Sequence, residues 1–226
     1  MLSRVQIGPV VIGLPPALVP KAHALPKEAP LVRLPDVPPP RTVLDLGCAG
    51  GHFLAQAGWF FDHPWCVGYD AHPELCELAL ENAQAGTRIV NAAISLREKG
   101  TANLQGRGPT PRSIPIVSPA DLPRAECVRI NLAGREAEIV EGYPHWLHVR
   151  LLYVEWHAEI DSLVTSPGEE TLSTYERLLS FGLRRVVSAA PTPDRVYEVW
   201  ARSRAVWDRR LQRFAIPTAE GTEATS

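Results

Sequence analysis

Two groups of polar residues in this 226-residue chain have the spacing of chemical sites, and the first is a glycine-rich turn. The order Asp45-x-Gly47-x-x-Gly50-Gly51 follows a short apolar run and precedes a helical pattern. Glycines in such a turn let the backbone approach a ligand closely, and the helix start offers unpaired N–H groups. Asp70 ends the next apolar run, where a carboxylate can accept both hydroxyls of a ribose. The alternative is an ordinary strand-to-helix turn in which Asp70 caps the following helix.

The spacing of this turn distinguishes between two classes of cofactor. Dinucleotide binders use the order GxGxxG, with the pyrophosphate on the helix end, and the turn does not have that order. Asp45 before the first glycine would oppose a phosphate, whereas it favours a cationic amino-acid ligand. These features favour S-adenosylmethionine, which carries an ammonium group and a cationic sulfur, over NAD. His52, directly behind the glycines, is expected either to face this cofactor or to stand exposed at the helix start.

The second group is Glu155 and His157 in the segment YVEWH. Residues two apart on a strand point to the same face of the sheet. A histidine beside a carboxylate can titrate near neutrality and act as a general base. The alternative is a His–Glu pair that only stabilises the end of the strand. Glu136 is expected to cap or decorate its helix.

Alternating strand and helix patterns indicate the elements that hold these groups in place. Together with a closing antiparallel hairpin at 184–190 and 195–203, they are typical of an α/β fold with a mostly parallel sheet and helices on both faces. Residues 95–126, rich in glycine and proline, are expected to be irregular, with one strand near 113–118. We expect strands at 42–47, 66–71, 87–94, 127–133 and 151–157, and helices at 51–60, 73–85, 135–143 and 168–182.

The two ends of the chain differ from its centre. Residues 1–41 hold ten of the 22 prolines, which fix φ and remove backbone donors, so we expect an extended arm with a short hairpin at 4–14. Residues 42–204 form the expected domain, and 205–226 a C-terminal helix followed by a disordered tail. The arm is a candidate contact for a homo-oligomer.

Composition excludes several classes of protein. A hydrophobic content of 45% is ordinary for a globular protein, and a net charge of −2 gives no field that attracts nucleic acid or an anionic membrane. No apolar run approaches the roughly 20 residues of a membrane-spanning helix, and the N-terminus lacks the continuous apolar segment of a signal peptide, so we expect a cytoplasmic protein. The four cysteines form no CxxC pair and are expected to be buried free thiols rather than disulfides or metal ligands.

Five sequence blocks in order resemble FkbM-type methyltransferases. The blocks are VLDLGCAGGHF, VGYDAHPELCELALENA, IVNAAIS, VRINLAGREAEIVEGYPHWL and LLYVEWH. The resemblance covers roughly residues 42–185 and implies the Rossmann-like, seven-stranded sheet of class I S-adenosylmethionine-dependent methyltransferases. It also implies methyl transfer, commonly to a hydroxyl oxygen of a sugar or natural product. The cofactor-binding set expected by position is Asp45, Gly47, Cys48, Gly51, Asp70, Ala71, Asn91 and Ala92. Of these, Asp70 stands where the family usually has a glutamate, and Ala71 where it usually has a proline.

The chain departs from the family at its fourth strand. That strand usually reads Lys-Ile-Asp-Val-Glu-Gly-Ala-Glu, whereas here Asn131 and Ala133 replace the two carboxylates nearest the expected methyl group. Asn131 can orient a hydroxyl but cannot take a proton or hold a divalent metal well, so no metal is expected. The expected catalytic residues are therefore Glu155, His157 and Asn131, acting on a small-molecule or glycan hydroxyl. The alternative is a catalytically inactive protein of this fold that serves as a structural or cofactor-binding partner.

Overall fold

The computed structural model describes residues 3–7, 10–14, 31–104, 112–157, 169–192, 195–208 and 213–215. Within these residues the α-helices are α1 (His52–Phe60), α2 (Pro73–Asn82), α3 (Glu136–Gly142) and α4 (Glu169–Ser180). The strands of the N-terminal half are β1 (Ser3–Ile7), β2 (Val10–Leu14), β3 (Thr42–Leu46), β4 (Trp65–Asp70), β5 (Arg88–Asn91), β6 (Ala93–Ile94), β7 (Thr101–Leu104) and β8 (Arg112–Val117). Those of the C-terminal half are β9 (Cys127–Ile130), β10 (Leu151–His157), β11 (Arg184–Thr192), β12 (Arg195–Ala201), β13 (Val206–Asp208) and β14 (Arg213–Ala215).

Seven strands form one sheet in the order β11-β12-β10-β9-β3-β4-β5. Neighbours from β5 to β10 are parallel, and β12 runs antiparallel to both β10 and β11. The expected mostly parallel sheet with a closing antiparallel hairpin is confirmed. The order reverses beside β3, because β4 pairs with one edge of β3 and β9 with the other. In open α/β sheets such a switch point leaves a crevice beyond the carboxyl ends of the strands, where ligands bind.

Each face of the sheet has its own hydrophobic core, because side chains alternate along the strands. On β10, Leu152, Val154 and Trp156 belong to one core, which also contains Ile139 of α3 and Leu178 of α4. Phe53 and Leu54 of α1 pack instead into the core on the opposite face, with partners that include Val43, Cys127, Leu151 and Tyr153. Helices therefore cover both faces, as expected. All four cysteines are buried and free, which confirms the prediction of unpaired thiols.

The segment between β5 and β9 is more regular than its glycine and proline content indicates. The expected strand at 87–94 splits at Ala92, whose N–H donates to the Asp70 carbonyl oxygen (2.9 Å). Beyond that point β6 leaves the main sheet and pairs with β8, which also pairs with β7. The strand expected near 113–118 is β8, while β7 was not expected.

The ends of the chain are partly described. The hairpin expected at 4–14 is confirmed as β1 paired with β2, and Val32 farther along the arm donates its N–H to the Tyr153 hydroxyl (3.1 Å). The C-terminal helix is wrong for 206–208 and 213–215, which form the antiparallel strands β13 and β14. The rest of the expected tail lies outside the described residues. None of the described helices is long and apolar enough to cross a membrane.

Candidate active site

The glycine turn lies between β3 and α1, against the end of β9. The backbone N–H groups of Gly47 and Cys48 both donate to the carbonyl oxygen of Tyr69 (2.9 and 3.0 Å). Gly47 has φ +82°, and a β-carbon there would overlap the carbonyl oxygen of Asn131. Glycine is therefore needed at 47 because the turn lies directly against the backbone of Asn131.

Gly51 meets a different requirement. It has φ +77°, and a β-carbon there would lie 2.8 Å from Cα of Ala79 in α2. Gly50, beside it, accepts a hydrogen bond from Nδ2 of Asn82 (2.8 Å). Gly51 therefore allows the start of α1 to pack closely on α2, which fixes the direction in which the helix leaves the turn.

A buried ion pair lies beneath the turn. Arg129 donates from one guanidinium nitrogen to Oδ1 of Asp45 (2.8 Å) and to the carbonyl oxygen of Gly47 (3.1 Å). Burial alone would lower the pKa of Arg129, but the adjacent Asp45 carboxylate raises it above its ordinary value. Asp45 is fully buried, so it acts on the turn through Arg129. The sequence indicated an acid at this position but not its cationic partner.

Asp70 stands at the carboxyl end of β4 and joins the turn to α2. Its Oδ2 accepts the N–H of Ala49 (2.8 Å), and its Oδ1 accepts the N–H of His72, the residue before α2 (2.8 Å). Asp70 therefore holds the backbone just before α2 and does not cap the helix, whose N-cap residue is His72 and which has no side-chain cap hydrogen bond. Each carboxylate oxygen can accept a second hydrogen bond, so these contacts are compatible with a ribose ligand.

The other residues expected at the cofactor support the backbone. Asn91 donates from Nδ2 to the carbonyl oxygens of Asp70 (3.0 Å) and Ala71 (2.9 Å). Ala92 and Cys48 are buried in the two cores, and burial raises the pKa of the Cys48 thiol. Contact of Ala92 and Cys48 with a cofactor stays a prediction, because the side chains of both residues pack into the hydrophobic cores.

The predicted catalytic residues meet at the carboxyl ends of β9 and β10. Asn131 donates from Nδ2 to Oε2 of Glu155 (2.8 Å), while Arg195 of β12 donates to Oε1 of the same carboxylate (3.0 Å). Both oxygens of Glu155 therefore already accept a hydrogen bond. Asn131 lies against Gly47 through its backbone and against Glu155 through its side chain, so it joins the glycine turn to the second group.

His157 has a carboxylate on each side. Its Nδ1 lies 2.9 Å from Oε1 of Glu136, and its Nε2 lies 3.6 Å from Oε1 of Glu155. The hydrogen bond with Glu136 raises the pKa of His157 above its ordinary value, with both carboxylates adding to the effect and burial and Arg195 opposing it. No hydrogen bond reaches Nε2 from the residues that the structure describes. Among the described residues, His157 is thus hydrogen-bonded at one ring nitrogen only.

Two predictions about flanking residues are refined. Glu136 was expected to cap or decorate its helix, but it accepts the N–H of Leu132 (3.0 Å) and of Gly134 (3.0 Å), which lie before α3. It also contacts His157. His52 is half-buried rather than exposed, and its Nε2 is buried with no partner among the described residues. Burial lowers the pKa of His52 to about 3, so its imidazole is neutral.

Across the described ranges, no cluster of three His, Cys, Asp or Glu side chains could hold a metal ion.

Comparison with known proteins supports the fold. No protein-family model and no curated protein matches the chain. Among solved structures, Trm1 from Pyrococcus horikoshii, in complex with S-adenosyl-L-methionine, is 17% identical, with 96% of this chain and 71% of that chain covered and a TM-score of 0.55. TYW2 from the same organism, in complex with MeSAdo, is 11% identical, with 89% and 72% covered and a TM-score of 0.50. The strand order and these neighbours show that the chain has the class I methyltransferase fold.

Proposed function

We propose that this chain is an S-adenosylmethionine-dependent methyltransferase of the FkbM type that methylates a hydroxyl oxygen of a small molecule or glycan. One observation carries the proposal: Asn131 contacts both the glycine turn and the Glu155–His157 pair. A cofactor in the turn and an acceptor beside His157 would therefore be neighbours. Proximity of this kind is a large part of what a methyltransferase supplies.

The described residues fit the cofactor. The close approach of Gly47 to Asn131 leaves no room for a side chain at position 47, and Asp70 ends the neighbouring strand with acceptor capacity remaining for ribose hydroxyls. The two similar structures were solved with S-adenosyl-L-methionine or MeSAdo, which supports the same ligand class here. We propose that the backbone of 47–51 and the Asp70 carboxylate hold it.

The chemistry is divided between cofactor and protein. When bound, S-adenosylmethionine supplies a methyl carbon whose bond to sulfur breaks, with the electron pair going to sulfur, as a bond to the acceptor oxygen forms. The protein must orient the acceptor and remove its hydroxyl proton. His157 is the better base of the two candidates, because Glu155 already accepts from Asn131 and Arg195. The hydroxyl proton passes to Nε2 of His157 and leaves afterwards to solvent.

Asn131 and Glu155 act on the acceptor in a different way. The Nδ2 group of Asn131 is used by Glu155, which directs its carbonyl oxygen Oδ1 elsewhere, where it can accept a hydrogen bond from the acceptor. Glu155 keeps that amide in place and lies beside Nε2 of His157. Its charge there stabilises the imidazolium that forms when His157 takes the proton. The net charge of −2 favours a small molecule or glycan over a nucleic acid as the acceptor.

Calorimetric titration with S-adenosylmethionine, S-adenosylhomocysteine and NAD tests the cofactor. We expect micromolar binding of the first two and none of NAD. Asp70→Ala should abolish binding, while Glu77→Ala, which removes an exposed carboxylate from α2, should leave it unchanged. Binding that survives in Asp70→Ala contradicts the proposed site.

A screen of hydroxylated acceptors then tests the base. His157→Ala should lower turnover by about 10²- to 10⁴-fold, the range for a general base, with cofactor affinity retained. Glu155→Gln should lower it less, because glutamine can still accept from Asn131. Equal turnover in both variants and the parent protein would remove His157 and Glu155 from the mechanism.

A second candidate is the inactive cofactor-binding protein. It is favoured by the saturation of Glu155, whose two oxygens are occupied by Asn131 and Arg195, an arrangement that also serves to stabilise the end of a strand. This candidate predicts cofactor binding with no methyl transfer to any acceptor class and no effect of His157→Ala on any measured property except stability.

A further inference from the structure

The backbone between β9 and α3 turns around a single carboxylate, that of Glu136. We infer that Glu136 is a positioning residue that holds the His157 imidazole with its proton on Nδ1 and its lone pair on Nε2, facing the acceptor. The inference rests on the proposed function for its catalytic meaning. Its structural content, the tautomer of His157, can be measured without turnover.

Three donors converge on Glu136. The N–H of Leu132 reaches Oε1 (3.0 Å), the N–H of Gly134 reaches Oε2 (3.0 Å), and Nδ1 of His157 reaches Oε1 (2.9 Å). The carboxylate itself is 3% exposed, so these contacts replace its solvation. A group that only held the backbone before α3 would need the two N–H donors and not the imidazole.

The local sequence makes this convergence possible. Ala133 has φ +51° and Gly134 has φ +100°, so the backbone takes two successive left-handed residues. The turn that these residues make directs the N–H groups of Leu132 and Gly134 toward one point, as turns that bind anions do. The carboxylate of Glu136, only two residues farther along the chain, occupies that point.

The contact determines the tautomer of His157. A carboxylate oxygen can only accept, so Nδ1 must carry the hydrogen, and in the neutral ring Nε2 then carries the lone pair. The separation of 3.6 Å between Nε2 and Glu155 is longer than a hydrogen bond. A base needs this arrangement, because the nitrogen that receives the proton must be unprotonated and open.

The charges around the ring come from three elements. Glu136 of α3 and Glu155 of β10 favour the protonated ring, and Arg195 of β12 opposes it. Since Glu136 makes the dominant contact, removal of its charge should lower the pKa of His157. Activity that depends on the neutral ring should then reach its plateau at a lower pH.

Nuclear magnetic resonance of the histidine ring nitrogens tests the inference in the full chain. The signals of His157, one of seven histidines, are assigned by their loss in His157→Gln. Above the titration midpoint, the wild-type ring should be the Nδ1–H tautomer. An Nε2–H tautomer in the wild-type protein overturns the inference, and this measurement needs no variant of Glu136.

Glu136→Gln and Glu138→Gln form a matched pair on the same helix. Glutamine at 136 keeps an acceptor oxygen but loses the charge, so the His157 midpoint and the acid limb of kcat should move together to lower pH. The maximal kcat should fall by about 10- to 100-fold, as for other supporting partners of an active group, with cofactor affinity unchanged. Glu138 contacts Leu96 and Ser95 instead, so Glu138→Gln should leave the midpoint in place.

The outcomes separate this inference from the proposed function. An unchanged His157 midpoint in Glu136→Gln overturns the positioning role even if methyl transfer is found. Absence of cofactor binding in the calorimetric titration overturns the proposed function, and the ring tautomer and its midpoint are still decided by the resonance experiment.

Discussion

Replacing Arg129 with methionine removes the buried cation that joins Asp45 to the glycine turn. The ion pair is buried: the side chain of Arg129 is 4% exposed, that of Asp45 is 0% exposed, and the nitrogen–oxygen distance is 2.8 Å. In Arg129→Met the carboxylate of Asp45 stays buried with no cation, and Oδ2 of Asp45 already lacks a partner among the described residues. Breaking one side of a buried pair costs about 3–5 kcal/mol. We therefore expect the free energy of unfolding to fall by about that amount.

The same substitution should weaken the cofactor site, because the carbonyl oxygen of Gly47 loses its donor. Chemical denaturation gives the stability change, and calorimetry gives the change in affinity for S-adenosylmethionine. A loss of 3–5 kcal/mol corresponds to a fall in Tm of roughly 6–20 °C for a chain of this size. Lowering the pH should reduce the deficit, because protonation removes the uncompensated charge of Asp45.

Two further variants separate the pair from general packing. In Asp45→Asn/Arg129→Met neither charge remains, so the double variant should lose less stability than the sum of the single ones, by about 0.5–3 kcal/mol. Arg150→Met is the surface control, since the Arg150–Glu126 pair is partly exposed at 3.4 Å and should matter by less than about 1 kcal/mol. Additive single costs, or an Arg129→Met loss no larger than that of Arg150→Met, would refute the coupling.

Two other predictions concern the turn and the arm. Gly47→Ala and Gly86→Ala both put alanine at a left-handed residue, φ +82° and +86°, but only Gly47 faces a backbone atom, whereas a β-carbon at Gly86 meets nothing within 4 Å. Gly86→Ala should lower the free energy of unfolding by about 1–2 kcal/mol and leave cofactor affinity unchanged. Gly47→Ala should lower it by more and also weaken cofactor binding. Equal effects of the two variants would contradict the role assigned to the backbone of Asn131. If the arm is a homo-oligomer contact, deletion of residues 1–36 should lower the solution mass measured by light scattering to that of the monomer, and a decrease no larger than the deleted segment argues against it.

The sequence predicted those features that depend on periodicity. Alternating apolar residues indicated the parallel strands, and the two-residue spacing of Glu155 and His157 placed both on one face of β10, as the structure has them. These predictions succeed because a strand has a fixed side-chain period. In the insert, β8 was expected from its apolar residues, whereas β7, which is four residues long and follows Gly100, was not.

Contacts that depend on register or on loop conformation could not be obtained in this way. Arg195 reaches Glu155 because β12 pairs with β10 in one particular register, in which Arg195 stands opposite His157. Glu136 reaches His157 because Ala133 and Gly134 are left-handed. Arg129 was not predicted from the sequence, although there was a signal for it. It is the cation on β9 that stands opposite Asp45 of β3, and a buried acid needs a cation beside it.

Asn131 stands where FkbM-type methyltransferases usually have an acid, and the neighbouring strand gives a physical reason for an amide at this position. Nδ2 of Asn131 lies 2.8 Å from a carboxylate oxygen of Glu155. An aspartate at 131 would bring two carboxylates to that distance, and the two could not both be ionised without a shared proton or a metal. With an amide at 131, the contact becomes a hydrogen bond, and Glu155 keeps its charge for Arg195 and the His157 ring. The absence of an acid on β9 is thus the condition for a carboxylate and a histidine on β10, so it does not by itself argue for an inactive protein.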